Sequence, residues 1–290
     1  MSICATVILY NPAIEVYENI LSYANRVDEL IIVDNSTKYN NQLINKLLSN
    51  VTKVKYINNS ANLGIASALN IACRYAIEND YQWILTMDQD SRFINFDHYT
   101  KCLDQHKESL NIALLAANTM WHAEEHLPNT PSKEYEEKFL VITSGNFLNL
   151  KLFDTIGGFE DKLFIDMVDH DYCIRAQIHN FKILYFKDVL VEHSLGMLFQ
   201  RKNLITRKIR NKIEHNAQRV YYISRNTFYT WQQYRKYFPN EFNLLKTINI
   251  IFIHEITKIF LYEDNKIDKI KAKFIGLYHF LRGKYGKYNI

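Results

Sequence analysis

The sequence has few cysteines and no long hydrophobic run. Its 290 residues contain four cysteines that lie far apart and show no CxxC spacing, namely Cys4, Cys73, Cys102 and Cys173. This excludes a dense disulfide framework and predicts buried, reduced thiols in a cytoplasmic protein. No stretch approaches the roughly 18 to 20 apolar residues of a membrane span, and the N-terminal residues lack the basic region of a signal peptide. Low-complexity tracts are absent, so we expect a folded globular chain.

Charge is unevenly distributed along the chain. Residues 1–200 carry 16 Lys and Arg against 25 Asp and Glu, a net −9, whereas residues 201–290 carry 19 against 6, a net +13. This split predicts a basic C-terminal surface that faces a polyanion such as an anionic membrane leaflet. A helical subdomain with a solvated lysine face is the alternative. Nucleic acid is the less favoured partner, because no reader motif accompanies the charge.

The start of this basic region has its own pattern. Residues 201–213 place Leu204, Ile205, Ile209 and Ile213 among six basic groups. The spacing predicts a basic amphipathic helix, a type of helix that can lie at a membrane surface. Residues 243–260 and 266–285 continue with apolar periodicity and interspersed lysines, which predicts further helices.

Strand-like and helix-like stretches alternate over the first hundred residues. Strands are predicted at about 3–9, 29–34, 53–58 and 82–88. Helices are predicted from Pro12 to about Asn25 and from Ile65 to Ala76. The alternation is typical of βαβ units with a parallel sheet. Each strand ends in polar residues, and four such ends side by side would line a nucleotide crevice.

The strongest local pattern is the apolar run 83–87 followed by Asp88 and Asp90. A short continuous apolar run predicts a strand that is buried on both faces. Two carboxylates at its end are suited to holding Mg²⁺ or Mn²⁺ against a diphosphate. An Asp-rich turn that caps the next segment is the alternative, since aspartate favours turns and helix N-caps.

A second acidic cluster lies at 163–175, where Asp166, Asp169 and Asp171 fall within six residues. If this segment opens a helix, Asp166 and Asp169 share a face. The carboxylates would then either stabilise the helix N-terminus or supply a general base in a cleft.

Two histidines and two glutamates between His122 and His126 suggest a further metal site. Their spacing matches no zinc pattern, so an ordinary polar loop is the favoured interpretation.

Several short segments occur in a characteristic order. They are Val7–Pro12, Ile32–Ser36, Asn62–Ala66 with Asn70, Met87–Ser91, Ser144–Asn146, Gly157–Glu160, Phe164–Arg175 and His193–Gly196, with Arg219–Asn226 and Gly283–Gly286 in the tail. This set resembles the inverting nucleotide-sugar glycosyltransferases of family two, and most closely their bacterial rhamnosyltransferase branch. The resemblance implies an α/β, GT-A type catalytic domain over 1–197, with a donor-binding half at about 1–100 and an acceptor-binding half at about 101–197. A basic, mainly helical region would follow over 198–290.

The resemblance implies a donor-binding role for the residues at the strand ends. Tyr10, Asn11 and Asp34 would contact the base and ribose. The remaining implied donor-binding residues are Asn35, Asn62, Gly64, Asn70, Asp88 and Gln89. Gln89 stands between the two acidic residues, as is common in this branch.

The implied metal ligands are Asp90, Asp88 and His193, which would hold Mg²⁺ or Mn²⁺ at the donor diphosphate. Asp169 occupies the position of the catalytic base, preceded by Val168 where many relatives have glutamate. The implied acceptor-binding residues are Ser144, Gly145, Asn146, Asp166, Asp171 and Arg175, the last two as supports.

The expected activity is inverting transfer of one sugar to a bacterial surface glycan. The branch resemblance favours dTDP-L-rhamnose as donor and leaves UDP-galactose, UDP-galactofuranose and N-acetylated sugars open. The implied acceptor is linked to a polyprenyl diphosphate, which would place the protein at the inner face of the cytoplasmic membrane; a homo-oligomer remains open. A nucleotidyltransferase would carry a Gly-rich loop where this chain has Tyr10-Asn-Pro12, and the presence of Asp90 and Asp169 disfavours a non-catalytic binding module.

Overall fold

The computed structural model describes residues 2–120, 134–193, 198–202 and 205–288. The described chain forms two compact units. The sheet unit contains the residues up to Glu160 and again those from Asp169 to His193. The helical unit contains residues 161–168 and those from Leu198 onward. The segment His122–His126, for which an ordinary polar loop is favoured over a metal site, lies outside the described residues.

The sheet unit is built on a mixed β-sheet. Its strands are β1 (Ile3–Leu9), β2 (Glu29–Asp34), β3 (Val54–Asn58), β4 (Trp83–Asp88), β5 (Ser91–Phe93), β6 (Ile112–Met120), β7 (Glu136–Glu137), β8 (Asn146–Asn149) and β9 (Lys182–His193). Their order in the sheet is β3-β2-β1-β4-β8-β6-β9-β5, with β7 paired to β9. The helices that follow or connect these strands are α1 (Val16–Ala24), α2 (Asn41–Asn50), α3 (Ile65–Glu78), α4 (Phe96–His106), α5 (Phe153–Ile156) and α6 (Val168–Ile178).

The four predicted strands are confirmed and pair in parallel. The register places Leu9 beside Asp34 and Ile8 beside Asp88, and Asp34 pairs in turn with Asn58. The carboxyl ends of β1 to β4 therefore lie side by side, as the sequence predicts. β2 is buried along its whole length, as expected for a central strand covered on both faces.

One predicted helix start is wrong, and the shared helical face considered for Asp166 and Asp169 does not form. Helix α1 begins at Val16 rather than at Pro12, because the backbone at Asn11 is left-handed, with φ 47°, and the chain turns there before the helix starts. Helix α6 begins at Val168, so Asp166, which has φ 64°, precedes it. Asp166 and Asp169 therefore do not share a helical face.

The helical unit contains one hairpin and several helices. Its elements are β10 (Leu198–Lys202), β11 (Ile209–Ile213), α7 (Ala217–Tyr234), α8 (Leu244–Ile248), α9 (Glu255–Tyr262) and α10 (Lys266–Leu281). Helices α7 and α10 approach closely at Gly276, where a Cβ atom would lie 2.7 Å from the carbonyl oxygen of Tyr221. Glycine is therefore required at this crossing. The helices predicted after residue 243 are confirmed.

The amphipathic helix predicted over 201–213 is wrong. β10 and β11 pair antiparallel, with Lys202 opposite Ile209. The backbone of Arg207 is left-handed, with φ 59°, which interrupts any helix through this segment. β-branched Ile209 and Ile213 also favour a strand. Leu204 lies outside the described residues.

The cysteines are buried, as the sequence predicts. All four cysteines are buried and none of them forms a disulfide bond, and burial raises the pKa of the Cys173 thiol to about 12. The described helices include none that is long and apolar enough to cross a membrane.

Candidate active site

Three candidate metal ligands converge at the end of β4. Asp88 ends this strand, Asp90 follows two residues later, and His193 ends β9. One potential ligand atom from each lies within 4.8 Å of the others, and all three side chains are partly exposed. The residues named by the resemblance as metal ligands are thus brought together from positions about a hundred residues apart.

Strand pairing explains why His193 reaches this place. β5 and β9 are antiparallel, and Ser91 is the direct partner of His193. The hydroxyl of Ser91, which is buried, lies 2.6 Å from Nδ1 of His193, and Nδ1 is 3.5 Å from a carboxylate oxygen of Asp90. Ser91 orients the imidazole ring by this contact. Sequence reasoning missed this role, although Ser91 directly follows the acidic pair.

Gln89 joins the ends of β1 and β4. The backbone N–H of Tyr10 donates to Oε1 of Gln89 over 2.9 Å, and Nε2 of Gln89 donates to the Tyr10 carbonyl over 3.3 Å. Asn19 in α1 donates to the Gln89 carbonyl. The Tyr10 side chain is left 47% exposed at the strand end, which suits it to stacking on a nucleobase, whereas Gln89 acts as a brace.

Asp34 and Asn11 organise the loop after β2. One carboxylate oxygen of Asp34 accepts from the backbone N–H of Ser36 and the other from the Tyr56 hydroxyl, both over 2.8 Å. Burial and this bond to Asp34 raise the pKa of Tyr56, so its hydroxyl remains a donor. The side-chain oxygen of Asn11 accepts from the backbone N–H groups of residues 37 and 38. Both residues shape the loop, and their contacts with a donor remain predictions.

Asn35 connects this loop to the start of α3. Its amide donates to the carbonyl oxygen of Gly64 over 3.0 Å and accepts from Asn59. The side chain of Asn62 accepts from the N–H of Gly64, which has φ 88°. Gly64 thus permits a turn between β3 and α3 that other residues rarely adopt. Asn35, Asn62 and Gly64 lie at the carboxyl end of β2, the strand that ends in Asp34.

Asn70 is engaged with the loop that follows α5. Its amide donates to the carbonyl and accepts from the N–H of Phe159, both over 2.8 Å. A Cβ atom at Gly158 would lie 3.1 Å from the Asn70 oxygen. Asn70 therefore holds this loop through the backbone of Phe159. A direct contact between Asn70 and the donor remains a prediction.

The predicted acceptor residues 144–146 lie at the start of β8, with Ser144 and Gly145 in the turn before the strand. Ser144 is fully buried and its Oγ accepts from the N–H of Asp88 over 3.1 Å. Gly145 has φ 86°, and a Cβ there would meet Val191 at 3.0 Å. Asn146 is also buried and donates to the Ile142 carbonyl. Ser144 therefore supports the strand that carries Asp88, and acceptor contacts of these three residues remain a prediction.

Asp169 lies in the first turn of α6, where it is partly exposed. Its Oδ1 accepts from the backbone N–H of His170 over 2.9 Å. Two residues later, buried Asp171 accepts two bonds from Arg175, which also donates to the carbonyl oxygen of Ile156. Asp171 and Arg175 therefore brace the helix, while Asp169 keeps its carboxylate at the helix start, where a negative charge is favoured.

Asp166 belongs to the helical unit. Its carboxylate pairs with the guanidinium of Arg219 in α7 over 3.0 Å and is largely buried there. An acceptor-binding role for Asp166 remains a prediction, and any such contact would compete with this ion pair.

The cluster Asp88, Asp90 and His193 fits a divalent cation by its chemistry. Carboxylate oxygens suit Mg²⁺ and Mn²⁺, and an imidazole nitrogen is more readily accepted by Mn²⁺ than by the harder Mg²⁺. The partial exposure of all three residues leaves room for phosphate oxygens and water as further ligands. This arrangement can neutralise a diphosphate.

The fold and this arrangement agree with comparisons to known proteins. The model of Glycosyl transferase family 2 matches residues 4–159. The chain belongs to this family. It is 27% identical over 312 aligned positions to the dTDP-rhamnosyl transferase RfbF of Shigella flexneri, covering 99% of each chain.

Two solved structures have a similar architecture. S. aureus TarS superimposes with a TM-score of 0.61 at 15% identity, covering 97% of this chain and 49% of TarS. The mannosyltransferase PcManGT of Pyrobaculum calidifontis, solved with GDP-Man and Mn²⁺, gives 0.58 at 12% identity and covers 97% of this chain and 75% of its own. At such identities these similarities establish the GT-A fold alone. The family membership makes this protein a glycosyltransferase that uses a nucleotide-sugar donor.

Proposed function

We propose that this protein transfers L-rhamnose from dTDP-L-rhamnose to a hydroxyl group of a bacterial surface glycan. The observation that carries the donor assignment is the full-length similarity to a protein named as a dTDP-rhamnosyl transferase. The polar ends of β1, β2 and β4 supply groups for the nucleotide. Asp88, Asp90 and His193 supply a metal site for its diphosphate, for which we propose Mn²⁺.

The proposed chemistry is a single displacement. The carboxylate of Asp169 accepts the proton of the acceptor hydroxyl while that oxygen attacks the anomeric carbon. The bond from the anomeric carbon to the diphosphate oxygen breaks, its electron pair leaves with dTDP, and the configuration inverts. Asp88, Asp90 and His193 orient the diphosphate, and the cation they would hold supplies Lewis-acid neutralisation of the leaving charge.

The proposed acceptor is an oligosaccharide carried on a polyprenyl diphosphate. A lipid-linked acceptor requires access to a membrane surface, and the positive charge of residues 201–290 would favour an anionic one. In α10, four large apolar side chains are more than half exposed, namely Ile267, Phe274, Tyr278 and Leu281. We propose that this stripe and the neighbouring basic residues contact the inner face of the cytoplasmic membrane.

A donor panel tests the proposed function. Purified protein is incubated with Mn²⁺ and dTDP-L-rhamnose, UDP-galactose, UDP-galactofuranose or UDP-N-acetylglucosamine, and release of the nucleoside diphosphate is measured. We expect the fastest release from dTDP-L-rhamnose and little release when EDTA is present. Preference for a UDP-sugar would refute the rhamnosyl assignment. Absence of turnover with every donor would support a non-catalytic binding module instead.

A further inference from the structure

Just before the proposed base, residues 161–168 form a short segment that we call the excursion. Residues 161–168 belong to the helical unit, although the residues on both sides belong to the sheet unit. Asp169 is the first residue after this excursion. The conformation of residues 161–168 therefore determines how the chain enters α6, whose first turn carries Asp169.

The excursion has a backbone that these residues rarely adopt. Phe164, Asp166 and Met167 have φ angles of 66°, 64° and 66°. None of them is glycine, and a side chain in this conformation costs stability. A conformation of this kind persists only where its surroundings enforce it, and such conformations cluster at functional sites.

Asn226 in α7 is one of the groups that enforce it. Its Nδ2 lies 2.8–2.9 Å from the carbonyl oxygens of Leu163, Ile165 and Asp166. Its Oδ1 accepts from Nε of Arg225 over 2.9 Å, which fixes the orientation of the amide. Asn226 is fully buried, so water cannot replace these bonds.

Arg225 holds the other end of the same segment. It is fully buried and donates to the carbonyl oxygens of Lys162, Leu163 and Gly286 over 2.7–3.1 Å. Across the described ranges, no carboxylate pairs with its guanidinium. Burying a charge without an opposite charge is costly and is tolerated only when hydrogen bonds satisfy it. The bonds to carbonyl groups compensate this cost, so the burial of Arg225 depends on its contacts with residues 162 and 163.

Two further contacts hold the excursion. The ring of Phe164 stacks on Tyr222 of α7, with centroids 5.2 Å apart and planes 20° apart. Arg219, one helical turn before Tyr222, pairs with the carboxylate of Asp166. Side chains from α7 thus contact residues 162–166 through hydrogen bonds, an ion pair and a ring stack.

We propose that Arg225 and Asn226 are positioning residues for glycosyl transfer: by binding the carbonyl groups of residues 162–166 they set the start of α6 and hence the place of Asp169. Neither residue touches the reacting atoms. The inference rests on the proposed function, because it requires Asp169 to accept the proton. Displacement of a reacting group by about 1 Å costs on the order of 100-fold in rate, so holding this segment has a large kinetic effect.

Asn226→Asp and Arg225→Lys test this inference. The first places a carboxylate oxygen against three carbonyl oxygens, and the second keeps the charge but loses the planar guanidinium that reaches three carbonyl oxygens and the Asn226 side chain. We expect kcat for sugar transfer to fall about 10- to 100-fold in both. Affinity for dTDP in the presence of Mn²⁺, measured by calorimetry, should remain at the wild-type value. If Asn226→Asp does not fold, Arg225→Lys carries the test.

Ser224→Ala is the matched control. Ser224 is also buried in α7, and its hydroxyl donates to the carbonyl of Lys273 in α10 over 2.9 Å, so this variant loses a buried hydrogen bond without touching residues 162–166. We expect it to lower the melting temperature but to keep the wild-type kcat. If the two test variants lose no more kcat than Ser224→Ala, the inference is overturned. A wild-type protein that turns over no donor refutes the proposed function and this inference with it.

Discussion

At the scale of single residues, the candidate site shows which roles can be read from sequence. Asp88 and Asp90 are recognisable because they end a buried apolar run, a local pattern. His193 joins them through the pairing of β5 with β9, which no local pattern reveals, and only the family resemblance pointed to it. Ser144 is a second case, since its side chain is buried and bonded to the backbone of Asp88, a structural role that its motif did not indicate. Burial depends on the whole fold, so a motif alone does not predict it.

Asp90→Ala tests the metal site at this scale. Removing one of the three converging ligands should weaken Mn²⁺-dependent binding of dTDP-L-rhamnose by at least about tenfold. Calorimetry with and without Mn²⁺ measures the effect. Asp104→Ala, which removes an exposed carboxylate of α4 that pairs with nearby Lys107, serves as control and should bind as the wild type does. If wild-type affinity is the same with and without Mn²⁺, the site does not hold the donor through a metal.

At the scale of elements, strands β1 to β4 and helix α3 were predictable because their apolar periodicity is local. The hairpin of β10 and β11 was not, since isoleucines four residues apart also fit one face of a helix. Its strands are defined by their pairing with each other and by the left-handed turn at Arg207. The helical face considered for Asp166 and Asp169 does not form for a related reason, because contacts with α7, distant in sequence, hold residues 163–166 out of the helix.

The exposed stripe of α10 gives the element-scale prediction. Phe274→Glu replaces a large apolar group that is 54% exposed with a negative charge. The change should reduce flotation of the protein with liposomes that contain anionic lipid, because it removes apolar insertion and adds repulsion. Leu110→Glu, at a position of the sheet unit that is 74% exposed, is the control and should float like the wild type. A wild-type protein that stays at the bottom of the gradient would contradict the membrane proposal.

At the scale of the whole molecule, the GT-A class followed from the order of motifs over the first 200 residues, and the family model confirms it. The division of the chain into units was not predictable in full. The excursion of residues 161–168 into the helical unit depends on hydrogen bonds from Arg225 and Asn226, whose carbonyl partners lie about 60 residues earlier. The assignment of domains to donor and acceptor binding stays a proposal.

The most direct test of the central claim compares the wild type with Asp169→Asn in one assay of rhamnosyl transfer. The amide cannot accept the acceptor proton, so turnover should fall about 10²- to 10⁴-fold, while calorimetric affinity for dTDP-L-rhamnose with Mn²⁺ stays unchanged. Asp80→Asn, an exposed aspartate at φ 61° where asparagine is well tolerated, controls for the substitution itself and should retain full activity. Turnover of Asp169→Asn within a few-fold of the wild type would contradict the account.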